Sequence, residues 1–299
     1  MRSEAVAGGV YGLGASLFWG LVPAYWKLLG AVGADVIIAH RIAWSFGFVA
    51  ILLTLGRRWG EVLAALRRRR TLGLLACTTA LISGNWLLFI WAVNVGRVTE
   101  ASLGYYISPL VAVLLARLFL GERLRPLQKA AVVLAAVGVA WLAIGLGTLP
   151  WVSLTLATSF GIYGLLRKKA SVESLAGLTV ETALATPFAI AWLLFLASKP
   201  AFGGSTIEAL LLVGAGPITA VPLLWFATAA RRLRYSTLGI LQYVAPTCQL
   251  ALAVLAYGEP FTERHAATFL LIWTAVVLYA ADALRGRRDP VPAPAVARS

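Results

Sequence analysis

The sequence predicts an all-α membrane protein with ten transmembrane helices, arranged as two inverted five-helix repeats. Three observations predict this fold class. Of the 299 residues, 60% are hydrophobic and only 13% are charged, whereas soluble domains average about 25% charged residues. One stretch of sequence occurs twice, with matching residues 137 positions apart. The basic residues lie in short clusters between long apolar runs, which is the pattern of loops that flank membrane spans.

Ten apolar stretches are long enough to cross a bilayer, since a spanning helix needs roughly 20 such residues. The first is longer than the core of a signal peptide, so we interpret it as a retained span. The tail 286–299 is rich in Pro and Ala and is predicted to be disordered. The predicted spans, numbered 1 to 10, cover about residues 5–29, 36–55, 71–95, 101–120, 127–146, 150–166, 175–197, 207–230, 236–257 and 265–284.

The duplicated stretch divides the chain into residues 1–147, with spans 1 to 5, and residues 148–285, with spans 6 to 10. In both copies a proline precedes a Gly-Glu pair by 12 positions. Five is an odd number, so the second copy is expected to cross the membrane in the opposite sense. Inverted repeats are typical of secondary transporters.

The Lys and Arg residues predict the orientation. With the N-terminus in the cytoplasm, the inside segments hold 20 of these residues and the outside segments hold 4. The positive-inside rule therefore places both termini in the cytoplasm. The net charge of +14 could also indicate nucleic acid. Because topology explains the basic clusters, we expect no nucleic-acid partner.

The two Gly-Glu pairs, Gly121-Glu122 and Gly258-Glu259, favour a structural role over a transport role. Glycine directly after a helix suits the left-handed C-terminal cap. A glutamate that precedes the next helix stabilises the positive end of that helix.

Three ionisable residues inside spans are candidates for a functional site, because charge within the bilayer is rare and usually faces a cavity or a partner. Arg41, in span 2, could hold an anionic group such as a carboxylate. The alternative is that Arg41 snorkels or pairs with Asp35. The neighbouring His40 could carry a proton.

Glu181, in span 7, is near the inverted equivalent of His40 and Arg41. Glu181 is a candidate for proton coupling. Glu181 and Arg41 could also act as separate gates, one at each mouth of the site. The alternative is a local contact with the basic run Arg167-Lys168-Lys169.

Polar and aromatic residues in mid-span are predicted to line a central pocket, since polar groups in hydrocarbon need partners or water. The alternative is helix–helix packing. These candidates are Trp44, Asn85, Trp86, Phe89, Ser102, Tyr105, Tyr106, Trp225, Thr228, Gln242 and Tyr243. Matching interruptions in spans 4 and 9 predict kinks or hinges near the site, at Gly104, Pro109, Gly239 and Pro246.

The sequence resembles the drug/metabolite transporter superfamily with its EamA-type repeat, and within it the RarD-like subgroup. This resemblance implies a permease of the bacterial cytoplasmic (inner) membrane, in a subgroup named for chloramphenicol sensitivity. The residues that carry it are Phe18-Trp19-Gly20, Pro23-Ala24-Tyr25, Lys27, His40-Arg41, Trp44-Ser45, residues 84–94 and 100–105, Tyr163-Gly164, Arg167-Lys168-Lys169, Glu181-Thr182, residues 236–239 and Gln242-Tyr243.

The expected function is therefore carrier-mediated export of small organic metabolites or drugs, such as amino-acid-like or amphenicol compounds, by alternating access. The expected partners are the solute, the lipid bilayer and, as a candidate coupling ion, the proton; the chain is expected to be a monomer or a weak homodimer. No cofactor or metal is expected, and no nucleotide-binding loop is found in the sequence. An intramembrane enzyme and a channel remain as alternatives.

Overall fold

The structure, a computed structural model, describes residues 2–30, 32–145, 150–196, 205–258 and 262–285. All regular elements in these ranges are α-helices, which confirms the predicted fold class. The predicted disordered tail lies outside the described residues. The helices are α1 Arg2–Leu28, α2 Ala34–Leu55, α3 Trp59–Arg67, α4 Arg69–Asn94, α5 Val98–Phe119, α6 Pro126–Ile144, α7 Trp151–Lys169, α8 Ser174–Phe195, α9 Thr206–Arg232, α10 Tyr235–Leu241, α11 Val244–Tyr257 and α12 Glu263–Arg285.

These helices match the ten predicted spans, with two additions. Span 9 is broken into α10 and α11 at Gln242 and Tyr243. The short helix α3, which the sequence analysis did not predict, lies between spans 2 and 3. Nine spans in the described part of the chain are long and apolar enough to cross a membrane. The remaining span, α7, ends in the basic run Arg167-Lys168-Lys169, which lowers its mean hydropathy. The chain is a multi-pass membrane protein.

The predicted left-handed caps are confirmed at both glycines, with φ of +64° at Gly121 and +67° at Gly258. The prediction that Glu122 stabilises the start of the next helix was wrong. Its carboxylate does not serve the next helix, α6, but accepts hydrogen bonds from the backbone N–H groups of Tyr235 at 2.7 Å and Ser236 at 3.2 Å. A side chain from the first half thus caps α10 in the second half. Glu259 lies outside the described residues.

The helices pack mainly across the two halves, and the contacts come in matched pairs. In the repeat, α1 is equivalent to α7, α4 to α9, and α5 to α10 and α11. The contact of α1 with α9 therefore corresponds to the contact of α7 with α4. The contact of α5 with α7 corresponds in the same way to that of α11 with α1. Likewise α2 packs against α9 as α8 packs against α4. Three further contacts, α2 with α8, α5 with α10 and α6 with α12, join equivalent spans. This pattern is what an inverted repeat requires, because exchanging the halves leaves it unchanged.

Both predicted hinge glycines lie at close contacts between helices. A Cβ atom on Gly239 would lie 3.0 Å from the carbonyl oxygen of Pro109, so α10 and α5 approach each other closely here. A Cβ on Gly104 would lie 3.3 Å from the carbonyl oxygen of Ser153 on α7. Pro109 itself lies within the continuous helix α5, whereas Pro246 lies in the first turn of α11, just after the break. Small residues let helix backbones approach in this way.

A close glycine contact next to the candidate site joins α9 to α2. A Cβ on Gly216 would lie 2.6 Å from the carbonyl oxygen of Trp44. The carbonyl oxygen of Gly216 itself accepts a 3.0 Å hydrogen bond from Ser45 Oγ. Any larger residue at position 216 would therefore separate the two helices.

We predict that Gly216→Ala lowers the unfolding temperature of the detergent-solubilised protein, since overpacking costs about 1–3 kcal/mol. Gly73→Ala is the matched control, because a Cβ there would meet no atom within 4 Å. Thermal unfolding of both variants is the measurement, and an equal melting temperature for the two would contradict this account of the α2–α9 contact.

Candidate functional site

A cavity lies near the middle of the membrane, between α2, α4, α7, α8 and α9. Its enclosed volume is about 20 Å3, room for about one water molecule. Its depth follows from two lining residues, since Ser45 and Thr219 fall near the middle of the 22-residue α2 and the 27-residue α9. The apolar lining residues are Ile42, Ile82, Trp86, Leu178, Ala185 and Leu223. The polar ones are the hydroxyl residues Ser45, Thr79, Ser83, Tyr163, Thr182 and Thr219, and the carboxylic acid Glu181.

Arg41 is not itself a lining residue of this cavity, but it contacts two residues that are. Its Nε donates a hydrogen bond to Thr219 Oγ1 at 2.9 Å. Its guanidinium carbon lies 4.7 Å from the ring centroid of Trp26 and 4.9 Å from that of Trp86. Thr219 and Trp86 both line the cavity. Cation–π contacts on two sides hold the guanidinium plane in place.

The terminal nitrogens of Arg41 have no acceptor among the described residues, and no carboxylate of this part of the chain lies within 4 Å of them. The alternative that Arg41 pairs with Asp35 is not found, because Asp35 instead accepts a 3.2 Å hydrogen bond from Trp192 Nε1. Tyr105 lies close enough to Arg41 for an electrostatic interaction. Arg41 thus presents unused donors next to the cavity.

His40 precedes Arg41 on α2 but faces a different environment. It is only 1% exposed. Its Nδ1 accepts a 3.2 Å hydrogen bond from Nε1 of Trp44, one turn further along the helix. His40 and Trp44 therefore form a pair on α2, and neither is among the lining residues of the cavity.

Glu181 on α8 is a polar lining residue of the cavity and is held by side chains of two other helices, α4 and α7. Thr78 Oγ1 donates a 2.6 Å hydrogen bond to its Oε1, and the hydroxyl of Tyr163 lies 3.4 Å from its Oε2. Arg167 Nε lies 3.7 Å from the carboxylate, and both charged side chains are at most 3% exposed. The local contact with the basic run, one of the two alternatives for Glu181, is thus present at Arg167.

Space for the Arg167 guanidinium is provided by Gly177 on α8. A Cβ at position 177 would lie 2.9 Å from Arg167 Cζ. Arg167 Nη2 donates a 3.2 Å hydrogen bond to the carbonyl of Ser174, whereas Nε and Nη1 have no hydrogen-bond acceptor among the described residues. The pair is buried and only partly satisfied by hydrogen bonds.

Several predicted pocket residues face neighbouring helices instead. Asn85, next to Trp86 on α4, donates hydrogen bonds of 2.8 Å to the carbonyl of Leu156 and to Ser159 Oγ on α7. The ring of Trp225 packs edge-on against Phe18, with centroids 6.0 Å apart. Asn85 and Trp225 therefore take part in helix–helix packing, which was the alternative to the predicted pocket.

The predicted residues of α5 are divided between several surroundings. Tyr105 packs against Phe89 of α4 with centroids 6.1 Å apart, near Arg41. Tyr106 instead packs against Phe269 of α12, with centroids 5.8 Å apart. Ser102 is exposed. Of these, only Tyr105 and Phe89 lie in the region of the guanidinium.

The predicted residues of spans 8 and 9 lie away from the cavity lining. Thr228 Oγ1 donates a 3.1 Å hydrogen bond to Ser174 Oγ. Gln242 and Tyr243 mark the break between α10 and α11, and both are buried. The hydroxyl of Tyr243 is buried without a hydrogen-bond partner among the described residues. Of the candidate set, Trp86 and Glu181 thus line the cavity, and Arg41 contacts the ring of Trp86.

Sequence reasoning missed most of the hydroxyl residues that line the cavity. Ser45, Thr79 and Thr219 are all polar residues in mid-span, and this property could have identified them. Serine and threonine are common in membrane helices as packing residues, however, so polarity alone does not separate the two roles. In the described ranges, no group of three or more His, Cys, Asp or Glu side chains could hold a metal ion.

The model of the EamA-like transporter family matches residues 6–144 and again residues 149–281. The chain belongs to the EamA-like transporter family. The two matches, one after the other, agree with the repeat found in the sequence and with the paired helix contacts.

Curated relatives cover nearly the whole chain. A protein of Vibrio cholerae serotype O1 described as an uncharacterized transporter is 48% identical over 287 residues, 95% of each chain. Protein RarD of Salmonella typhimurium is 46% identical over 279 residues, 92% of this chain and 95% of that protein. The chloramphenicol-sensitive protein RarD of Pseudomonas aeruginosa is 37% identical over 281 residues, 91% of this chain and 93% of that protein. The chain is thus a RarD-like transporter of the EamA family.

A solved crystal structure has the same fold. It superposes with a TM-score of 0.73 over 97% of this chain and 100% of that chain, at 23% sequence identity. At this identity the likeness supports the fold alone.

We predict that the Arg167–Glu181 pair is strongly coupled. Arg167→Gln leaves a buried carboxylate without its cation and should lower the free energy of unfolding by about 3–5 kcal/mol. The double variant Arg167→Gln/Glu181→Gln should lose clearly less than the sum of the two single variants. Denaturant unfolding in detergent micelles measures this.

The matched control is the ion pair of Arg58 with Glu61, at 2.7 Å but with side chains 41% and 37% exposed. The same substitutions there should change the free energy by at most about 1 kcal/mol. Strictly additive losses at Arg167 and Glu181 would show that the two charges do not interact.

Proposed function

We propose that the protein is a secondary carrier that exports small organic solutes through the bacterial cytoplasmic membrane, with Arg41 as the anchor for an anionic group of the solute. The observation that carries this proposal is the set of contacts that the Arg41 guanidinium makes. The guanidinium is fixed by Thr219 and two tryptophan rings, yet its terminal donors are unused next to a cavity. A planar guanidinium binds a carboxylate through two parallel hydrogen bonds, which gives both strength and orientation.

The lining of the cavity supports a solute with an apolar or aromatic body and a few polar groups. Most of its walls are aliphatic or aromatic, and hydroxyl groups of residues such as Ser45 and Thr182 provide hydrogen-bond partners. Small-molecule sites commonly have this composition. Amino-acid-like compounds fit through their carboxylate. Chloramphenicol, which occurs in the name of the Pseudomonas aeruginosa relative, carries an uncharged nitro group whose two oxygens can accept hydrogen bonds from a guanidinium.

Alternating access is supported by the symmetry of the helix contacts. If each contact has an inverted counterpart, exchanging the local conformations of the two halves produces a state open to the other side. Because the helices of the halves interdigitate, we propose that the motion occurs at the paired contacts rather than by rotation of one intact half. The excess of Lys and Arg in one set of loops supports cytoplasmic termini.

The energy source in this proposal is the proton gradient or the gradient of the solute itself. Glu181 supports proton coupling, because it is the one carboxylic acid among the described lining residues of the cavity. Its two hydroxyl neighbours, Thr78 and Tyr163, hold the two carboxylate oxygens in place. Ionisable groups within a membrane often act in proton relays.

Solute counterflow in proteoliposomes tests the carrier mechanism. Vesicles loaded with unlabelled solute should accumulate the labelled compound faster than empty vesicles, in a panel of amino acids and amphenicols. A channel or an intramembrane enzyme shows no such acceleration, so its absence across a panel that binds the protein would overturn the proposal.

We predict that Arg41→Ala lowers counterflow of a carboxylate-bearing solute by about tenfold or more, as expected for loss of a hydrogen-bonded charge contact worth about 1.5–3 kcal/mol. Arg117→Ala is the control, because Arg117 is an exposed arginine in the last turn of α5. Unimpaired counterflow by the Arg41 variant would remove that residue from the site.

We predict that Glu181→Gln abolishes the dependence of transport on the pH gradient, because glutamine keeps the shape of the side chain but cannot exchange a proton. Transport rates are measured with and without an imposed gradient, for the variant and for wild type. A wild-type pH profile in the variant would assign Glu181 a structural role beside Arg167.

A further inference from the structure

The helix α3 connects two spans at the basic face of the protein. It begins four residues after α2 ends at Leu55 and ends two residues before α4 begins at Arg69. Such short connections hold α3 at the boundary between the hydrocarbon core and water. The segment 57–70 contains six arginines and one glutamate, a net charge of +5 in 14 residues.

One side of α3 packs on the protein. Val62 and Ala65 are 6% and 4% exposed and belong to an apolar cluster with Leu53 and Val180 of the spans α2 and α8. This packing fixes how the helix is rotated about its axis, and it determines which residues face outward.

A second apolar stripe of α3 faces outward. Trp59, Leu63 and Leu66, spaced four and three residues apart, are 39%, 53% and 41% exposed. Residues at this spacing lie on one side of a helix. An exposed apolar stripe beside basic residues, on a helix at the membrane boundary, is typical of interfacial helices.

The arginines that follow this stripe are unpaired. Arg67, Arg68, Arg69 and Arg70 are all exposed, and none has a carboxylate within 4 Å in the part of the chain that the structure describes. Their guanidinium groups therefore have donors available for an external anion.

Some basic residues elsewhere on the same face are paired with carboxylates of the protein. Arg231 binds Glu173 at 2.8 Å and keeps the pKa of that carboxyl group below its ordinary value through this hydrogen bond. Arg232 lies 3.4 Å from Glu4. The positive-inside rule explains why arginines occur on this face, but it does not explain four adjacent ones that are all left without partners.

We propose that α3 and Arg67 to Arg70 form a binding surface for anionic phospholipids, with the phosphodiester group held by the arginines and the acyl chains in contact with the outward stripe. Arginine forks match phosphate oxygens through paired hydrogen bonds. A cluster of four or more basic residues next to a span is the pattern expected for anionic headgroups. The stripe favours lipid over a soluble anion or a nucleic acid, since neither of these has acyl chains to cover Trp59, Leu63 and Leu66.

The experiment measures lipid binding to the purified full-length protein in detergent, by native mass spectrometry and by thermal stabilisation. Dioleoyl phosphatidylglycerol should bind about tenfold or more tightly than dioleoyl phosphatidylcholine. The variant R67Q/R68Q/R69Q/R70Q should lose this preference. The variant R68Q/R69Q retains two of the four arginines, and with them more of the positive charge that determines membrane orientation. It should lose part of the preference for the anionic lipid.

Two control variants separate this surface from general electrostatic attraction. R117Q/R123Q/K129Q/K169Q removes the same charge from four other exposed residues and should retain the preference. L63Q/L66Q leaves every charge in place and should weaken binding of the lipid, while inorganic phosphate should not stabilise wild type.

Three outcomes would overturn the proposal. The first is equal loss in the two four-residue variants, which would indicate diffuse attraction. The second is equal binding of the anionic and zwitterionic lipids. The third is tighter binding of inorganic phosphate or an RNA oligonucleotide than of phosphatidylglycerol, which would assign the arginines to a soluble partner.

Discussion

Close packing between helices of opposite halves is the constraint on which the rest of the structure depends. A helix in lipid satisfies its own backbone, but it gains little from meeting another apolar helix unless the two approach closely. Glycines provide that approach at the contacts of Gly239 with Pro109 and of Gly216 with Trp44. The second contact also sets the distance between α2 and α9, and thereby places Arg41 beside Thr219. The geometry of the cavity is thus a product of how the halves meet.

Arg167, which is buried, and Arg41, which is partly buried, differ in what surrounds them, and this difference defines the candidate site. Arg167 lies 3.7 Å from Glu181, so its charge is compensated within the protein. Arg41 has tryptophan faces and one hydroxyl as its neighbours, which orient the guanidinium without neutralising it. A compensated pair contributes mainly to the architecture of α7 and α8, whereas an oriented and uncompensated cation next to a cavity is suited to an anionic ligand.

The spans and the glycine caps could be predicted from the sequence because each depends on local properties. A bilayer requires long apolar helices, and a left-handed residue after a helix favours glycine, as at Gly121 and Gly258. The direction of a side chain is not local. Asn85 and Trp86 are adjacent, yet one binds α7 and the other lines the cavity. The helix α3 was missed because its arginines obscure the apolar stripes on either side. The hydrogen bond of Glu122 to α10 could not be predicted because it joins residues more than a hundred positions apart.

The cap that Glu122 provides for α10 has a consequence for biosynthesis. The ribosome completes the first five helices before the segment at Tyr235 and Ser236 has been made. Until then the carboxylate of Glu122 lacks the backbone N–H groups that it will later cap, just as the amide of Asn85 lacks its partners until α7 has been made. The insertion machinery or surrounding lipid must cover these groups during translation, and the bundle can close only when the last third of the polypeptide enters the bilayer.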